Sequence, residues 1–394
     1  MFVRTRALLA DTQPPADTDI LDMTIGEPRL APPDWLTEEL VRASENWQAY
    51  PKPHADAQFL DDIETYFAAR LPSVSGKFPL AEHLVPVPGT REPLHHLGLC
   101  VKSVKTDALA FVSNPYYHAW RTGAMASDAT IIYLNAFDET GFLPDLKALS
   151  PAELDRAQIM YLCSPSNPQG ALASADYIAY ALQLARRHNF LLVMDECYLD
   201  IWRNNRPVSA LEVACDMAGM GQAGRHDDPF SHLVVLNSLS KRSSAAGLRV
   251  GFLCGDRQVI AAYKKLIANG GALIPTPLLH AGGALYRDEI HNQNIRAHYD
   301  SSFDILASQH QISIPDGGFF LWLKTAEAFG GDDRAYCQAL YGQQGIRTIP
   351  GSLMAADTDE GNPGAGYVRL AIVHDHDMIR ALSDRLGQVQ APSE

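Results

Sequence analysis

The stretch Asn237–Phe252 reads NSLSKRSSAAGLRVGF. An apolar run, Leu233–Leu236, leads into it and a second, Val250–Cys254, leaves it. The segment therefore reads as the end of a buried strand, a serine-rich turn, and a return into a neighbouring strand. Within it, Lys241 stands three residues after Ser238 and eight before Arg249, with Arg242 beside it. The whole chain of 394 residues carries a formal net charge of -14. Cations gathered locally in so acidic a chain fit one small anion held in a pocket, not a polyanionic surface.

The bulk numbers agree. A nucleic-acid or anionic-membrane partner needs a basic face, which the acidic balance argues against. Apolar runs are too short to span a bilayer, and MFVRTRALLADTQPPAD at the start lacks the apolar length of a signal peptide. The six cysteines are far apart and form no CxxC pair, so they read as the reduced thiols of a cytoplasmic protein. The lack of paired cysteines and of HExxH argues against zinc.

Outward from the opening stretch, further apolar runs occur at Leu84–Val87, Ala108–Val112, Thr130–Leu134, Ile159–Cys163 and Phe190–Met194. Runs that are apolar on both faces suit strands covered on both sides. Helical patterns lie between them. Ser174 can cap a helix with Ile178, Ala181, Leu182 and Ala185 on one face, and Asp256 can open another that ends at Gly270 and Gly271. This alternation predicts an α/β fold with a doubly wound, mainly parallel sheet. After Leu285 the pattern changes to that of a smaller α+β domain. The expected division is an N-terminal segment, 1–35, packing on the small domain, a large domain, 36–285, and the small C-terminal domain, 286–394. Asp216–Pro229 and Asp357–Gly366 read as surface loops. Gly219–Gly224 satisfies GxGxxG, but no strand pattern precedes it and no helix pattern follows, which argues against a dinucleotide site.

In open α/β sheets, ligands bind beyond the carboxyl ends of the strands. Those ends carry a consistent set of groups. PGTREPL offers Gly89, Thr90 and a helix start able to hold phosphate. NPYYHAW offers the flat ring of Tyr117, CSPSNPQG offers Asn167, MDECY offers Asp195 and Tyr198, and NSLSK offers Ser238, Ser240 and Lys241. Together they describe a site for pyridoxal 5'-phosphate. Only an amine forms a Schiff base with the aldehyde, and a carboxylate keeps the pyridine nitrogen protonated so that the ring draws electrons. Tyr198 and Asn167 would bond the ring 3-oxygen, and Ser238 and Arg249 would complete the phosphate cage.

The set NPQG, DECY, SLSK…GLRVGF and YVRLAIV resembles the fold-type I, class I/II aminotransferases over nearly the whole chain. TIGEP, GTREPL, SLSKRS and GGFFLW resemble that family's succinyldiaminopimelate branch. The resemblance implies that Lys241, Asp195 and Tyr198 are catalytic. It also implies that Arg91 joins the cofactor-binding set, that Arg369 and the Gly26 backbone hold the substrate α-carboxylate, and that Tyr50 reaches the phosphate of a neighbouring subunit in a homodimer with shared sites. Ile274 stands where the family commonly has a small hydroxyl residue. Arg29, Arg91 and Arg242 are the expected cations for the distal end of the substrate. The reaction implied is transamination of N-succinyl-diaminopimelate with 2-oxoglutarate and glutamate in lysine biosynthesis, the alternative being a broader aspartate-, aromatic- or alanine-type aminotransferase.

Overall fold

The structure, a computed structural model, describes residues 1–102, 105–222 and 224–390. A two-residue strand, β1 (Leu21–Asp22), precedes a sheet of seven strands. These are β2 (Leu84–Val87), β3 (Leu109–Asn114), β4 (Thr130–Asn135), β5 (Ala157–Cys163), β6 (Leu191–Asp195), β7 (Leu233–Ser238) and β8 (Gly251–Gly255). Every apolar run read from the sequence is one of them.

The order across the sheet is β2-β8-β7-β6-β5-β3-β4. β4, β3, β5, β6 and β7 run parallel, while β8 is antiparallel to both β7 and β2. The antiparallel return of β8 pairs Gly251 with Ser238, and so carries Arg249 back beside the end of β7. Six of the seven strands are buried along their whole length, whereas the edge strand β4 is partly exposed. Apolar layers cover both faces: one holds Phe59, Phe67 and Phe252, the other Trp120, Tyr161 and Tyr263. That double cover explains strands apolar on both faces.

The helix starts follow the expected chemistry. Ser174 Oγ accepts from Tyr177 N at 3.2 Å and opens the Ala175–His188 helix, whose Ile178, Ala181, Leu182 and Ala185 are buried. Asp256 Oδ1 accepts from Gln258 N at 2.8 Å and opens the Arg257–Gly270 helix. The expected loop at 216–229 begins later, because the Ala210–Gly219 helix carries Asp216 through Gly219. A helix, not a strand, thus precedes the GxGxxG segment, of which Ala223 lies outside the described residues.

Beyond the large sheet come β9 (Phe320–Lys324), β10 (Ile346–Arg347), β11 (Ile349–Pro350) and β12 (Tyr367–Ala371). β11, β12 and β9 form an antiparallel sheet in that order, and β1 pairs parallel with β10. Leu9, Leu21 and Met23 share one apolar core with Leu321, Leu340 and Ile379. The Glu289–Gln309 helix connects the two parts: Ile295 and Tyr299 pack under the large sheet, Phe303 and Leu306 in the second core. The 357–366 segment is not a free loop throughout. Asn135 Nδ2 donates to Thr358 Oγ1 at 2.7 Å and to Glu360 Oε2 at 2.9 Å, tying it to the end of β4. Among the described residues no helix is long and apolar enough to cross a membrane.

Candidate active site

A cleft of about 640 Å³ opens beyond the carboxyl ends of the parallel strands. β6 ends on Asp195, whose backbone pairs in register with Cys163 of β5. The Asp195 carboxylate is 3% exposed. Its Oδ2 accepts from Trp120 Nε1 at 3.0 Å, and its Oδ1 from the Cys197 backbone N–H at 3.3 Å. Burial pushes this carboxyl above the ordinary carboxylate range, while the Trp120 and Cys197 bonds and the charge of Lys241 oppose the rise. Among the described residues it has no ion-pair partner. A buried carboxylate bonded by neutral donors alone favours a cationic ligand group.

Lys241 reaches the same cleft from β7. Ser238, the last residue of that strand, caps the Leu239–Arg242 helical turn by accepting from Ser240 N at 3.2 Å. The turn directs Lys241 Nζ to the Gly26 carbonyl, to which it donates, and 5.5 Å from the centre of the Phe319 ring. Burial lowers the Lys241 pKa, and Arg369 and Arg249 push the same way. A lysine so placed is more readily the neutral amine, which is the nucleophilic form.

Arg249 takes a left-handed backbone, φ 58°, and donates to Ala246 O at 2.8 Å and Pro88 O at 2.6 Å. Its guanidinium occupies space that only glycine leaves free. Gly89 has φ +78°, and a Cβ there would lie 2.3 Å from Arg249 Nη2. Thr90 begins the Arg91–Cys100 helix without capping it by its own hydroxyl. A guanidinium, the hydroxyls of Thr90, Ser238 and Ser240, and a helix start therefore face one corner of the cleft.

On the opposite wall, Arg369 of β12 is 4% exposed. It donates to Thr24 O at 2.7 Å and to Asn167 Oδ1 at 3.2 Å, and its Cζ lies 4.2 Å from the Phe320 ring centre. Its buried Nε has no hydrogen-bond partner. Burial lowers its pKa to about 10, which leaves it charged at neutral pH.

The profile of the family described as aminotransferase class I and II matches residues 18–386. The chain belongs to this family. Over 380 residues this aminotransferase is 26% identical to the LL-diaminopimelate aminotransferase of Syntrophobacter fumaroxidans, covering 94% of its own length and 91% of the relative. Its fold matches an aminotransferase of Neisseria meningitidis with a TM-score of 0.89, 27% identity and coverage of 99% and 97% of the two chains. It matches aminotransferase AspB of Helicobacter pylori with a TM-score of 0.86, 28% identity and coverage of 98% and 97%.

The cofactor of this aminotransferase is pyridoxal phosphate, and the cleft fits it on three observations. A carboxylate without an ion-pair partner awaits a protonated ring nitrogen, a depressed lysine awaits an aldehyde, and the glycine-spaced guanidinium corner suits a phosphate. The side chains named from the strand ends line this one cleft: Thr90, Tyr117, Asn167, Asp195, Tyr198, Ser238, Ser240, Lys241 and Arg249. Arg91 also lines it, donating from Nε to Tyr117 OH at 3.2 Å. Gly26 lines it through its backbone, and Arg369 closes the far side.

Four expected residues of the aminotransferase chain do not line the cleft, and one of them, Gly89, lies against the Arg249 guanidinium. Arg242 is not a substrate contact. It is 1% exposed, paired with Asp200 at 3.2 Å and with Glu289, and packed between the Tyr66 and Tyr286 rings. Arg29 is exposed and does not line the cleft. Tyr50, 96% exposed, also stands outside the cleft of this single chain. Ile274 is buried in the core. The sequence reading missed Trp120, which lies three residues after Tyr117 in NPYYHAW, one helical turn on. That spacing was a usable signal. It also missed Cys163, Cys197, and the first helix, whose Phe2 and Arg4 line the cleft.

Proposed function

We propose that this aminotransferase exchanges an amino group between glutamate and an amino acid with a distal carboxylate, N-succinyl-diaminopimelate or LL-diaminopimelate. The observation that carries the proposal is the convergence of Lys241, Asp195 and Arg369 on one cleft that holds a further cation, Arg4. The name borne by the Syntrophobacter relative supports a diaminopimelate-type donor. No conspicuous acidic ring lines the cleft to repel a second carboxylate: Glu27 and Asp195 are its acids, against Arg4, Arg91, Arg249, Arg369 and Lys241.

The bound cofactor supplies an aldehyde for amine exchange and a cationic ring that draws electrons from the α-carbon. The chain supplies the rest. Arg369 receives the α-carboxylate, its unpartnered Nε adding a donor to the bonds it makes with Asn167 and Thr24. Asp195 holds the ring-nitrogen proton, and Trp120 and the Cys197 N–H fix its carboxylate. Lys241 Nζ removes the proton from the donor α-carbon and would deliver it two bonds away, to the carbon that the cofactor's aldehyde supplies, as a base of lowered pKa can. Tyr198, packed edge-on against Phe319 with ring centres 5.5 Å apart, and Asn167 would hold the ring oxygen by hydrogen bonds.

The experiment is a half-reaction screen. Cofactor-loaded enzyme is mixed with single amino acids, and the aldehyde absorbance is followed as the cofactor takes up the amine. Glutamate and a diaminopimelate donor should convert it fastest, and steady-state rates for donor and 2-oxo acid should give parallel lines. Fast conversion by aromatic amino acids with none by diaminopimelate donors would sink the substrate proposal.

A homodimer is part of the same proposal. The Leu36–Arg42 helix and the Ser44–Gln48 turn have no buried residue, and Val41, Trp47 and Tyr50 are 67%, 54% and 96% exposed. Large apolar groups exposed together mark a surface that another chain covers. Sedimentation at assay concentration should give a dimer. A fully active monomer would contradict it.

A further inference from the structure

We infer that Arg4, on the first helix α1 (Phe2–Leu8), is the specificity-determining residue that binds the distal carboxylate of the amino donor. This inference rests on the donor class proposed above and adds which side chain selects it.

Each of the other lysine and arginine side chains that line the cleft already has a bonding partner. Arg369 bonds Asn167 and Thr24, Arg249 bonds the Ala246 and Pro88 carbonyls, Arg91 bonds Tyr117, and Lys241 bonds the Gly26 carbonyl. Arg4 lines the cleft, is exposed, and has no hydrogen bond or ion pair among the described residues. Its position follows from how α1 is held. Thr5 and Leu9, one turn apart, are buried at 4% and 9%, and Leu8 O accepts from Gln338 Nε2 at 3.1 Å. α1 packs on β11, whose Ile349 pairs in register with Arg369 of β12. Thus Arg4 stands at the rim of the wall whose buried interior carries Arg369.

A donor whose α-carboxylate lies on buried Arg369 has its side chain directed from the interior toward the rim, where Arg4 waits. The guanidinium offers forked donors that match a carboxylate. A donor without a distal carboxylate makes no such contact. α1 is therefore a recognition wall as well as a packing element.

The test compares LL-diaminopimelate with norleucine in the half-reaction, using wild type, Arg4→Gln and Arg4→Lys. In Arg4→Gln the ratio of kcat/KM for LL-diaminopimelate over norleucine should fall about 2- to 5-fold, mostly through KM, as for loss of one charge pair at an exposed position. Arg4→Lys should recover part of the ratio. Equilibrium binding gives a readout without turnover: wild type should bind pimelate more tightly than heptanoate, and Arg4→Gln should bind the two alike. Equal loss for both donors would mean that α1 only supports the fold and would overturn the assignment, as would an unchanged ratio. Wild-type enzyme that transaminates norleucine as well as LL-diaminopimelate would overturn the proposed donor class, whereas a selective wild type with a selective Arg4→Gln would overturn Arg4 alone.

Discussion

Replacing Lys241 with alanine should abolish covalent attachment of the cofactor and reduce transamination by roughly ten-thousandfold or more. By the proposed mechanism two functions leave with one side chain: the amine that bonds the aldehyde and the base that moves the α-proton. No other lysine lines the cleft, and its arginines stay protonated. The lowered pKa depends on burial at this site, so a lysine elsewhere would not share it. Borohydride reduction followed by mass spectrometry should find the cofactor on the peptide containing Lys241 in wild type and nowhere in the variant. Small amines added to the variant should restore part of the proton transfer. Ordinary turnover by Lys241→Ala, or reductive labelling of another lysine, would assign the role elsewhere.

Arg242→Met should destabilise the protein by about 1–3 kcal/mol, the usual cost of leaving a buried hydrogen-bonding group without its partner. Asp200 would lose that charge while keeping Arg70 at 2.9 Å and the Tyr66 hydroxyl at 3.0 Å. The Leu285 and Tyr286 carbonyls, now accepting from Arg242 at 2.8 and 2.9 Å, would also lose their donor. Arg242 ties the Lys241 turn to Asp200, which lies two residues after Tyr198, so the pair braces two strand ends at once. Urea denaturation of the loaded enzyme should show the loss as a lower midpoint. In the folded fraction, KM for donors with a distal carboxylate should stay near wild type. Wild-type stability combined with a raised KM would return Arg242 to the substrate.

Much of this architecture was legible in the chain. The apolar runs became strands because strands buried on both faces must be apolar throughout, a property written in consecutive residues. Ser174 and Asp256 cap helices by bonds to amides two or three residues on, again a local matter. Once the strands were known, their carboxyl ends named the groups that meet in the cleft, since parallel strands deliver those ends to one edge. The antiparallel return of β8 was not legible, yet it seats Arg249 beside Ser238.

The choice among arginines belonged to the tertiary structure. Lys241 and Arg242 are adjacent on a helical turn and so point about 100° apart. Which of them enters the cleft depends on partners far along the chain: Gly26, 215 residues from Lys241, and Glu289, 47 residues from Arg242. Trp120 meets Asp195 across 75 residues. Arg4 reaches the rim only because its helix packs on a strand near the other end of the sequence. Residue type and local spacing determined the fold class, the cofactor chemistry and most of the side chains that line the cleft. Long-range packing decided which cations are buried as braces and which stay unpaired at the cleft, because burial and charge pairing are set by contacts that sequence neighbours do not encode.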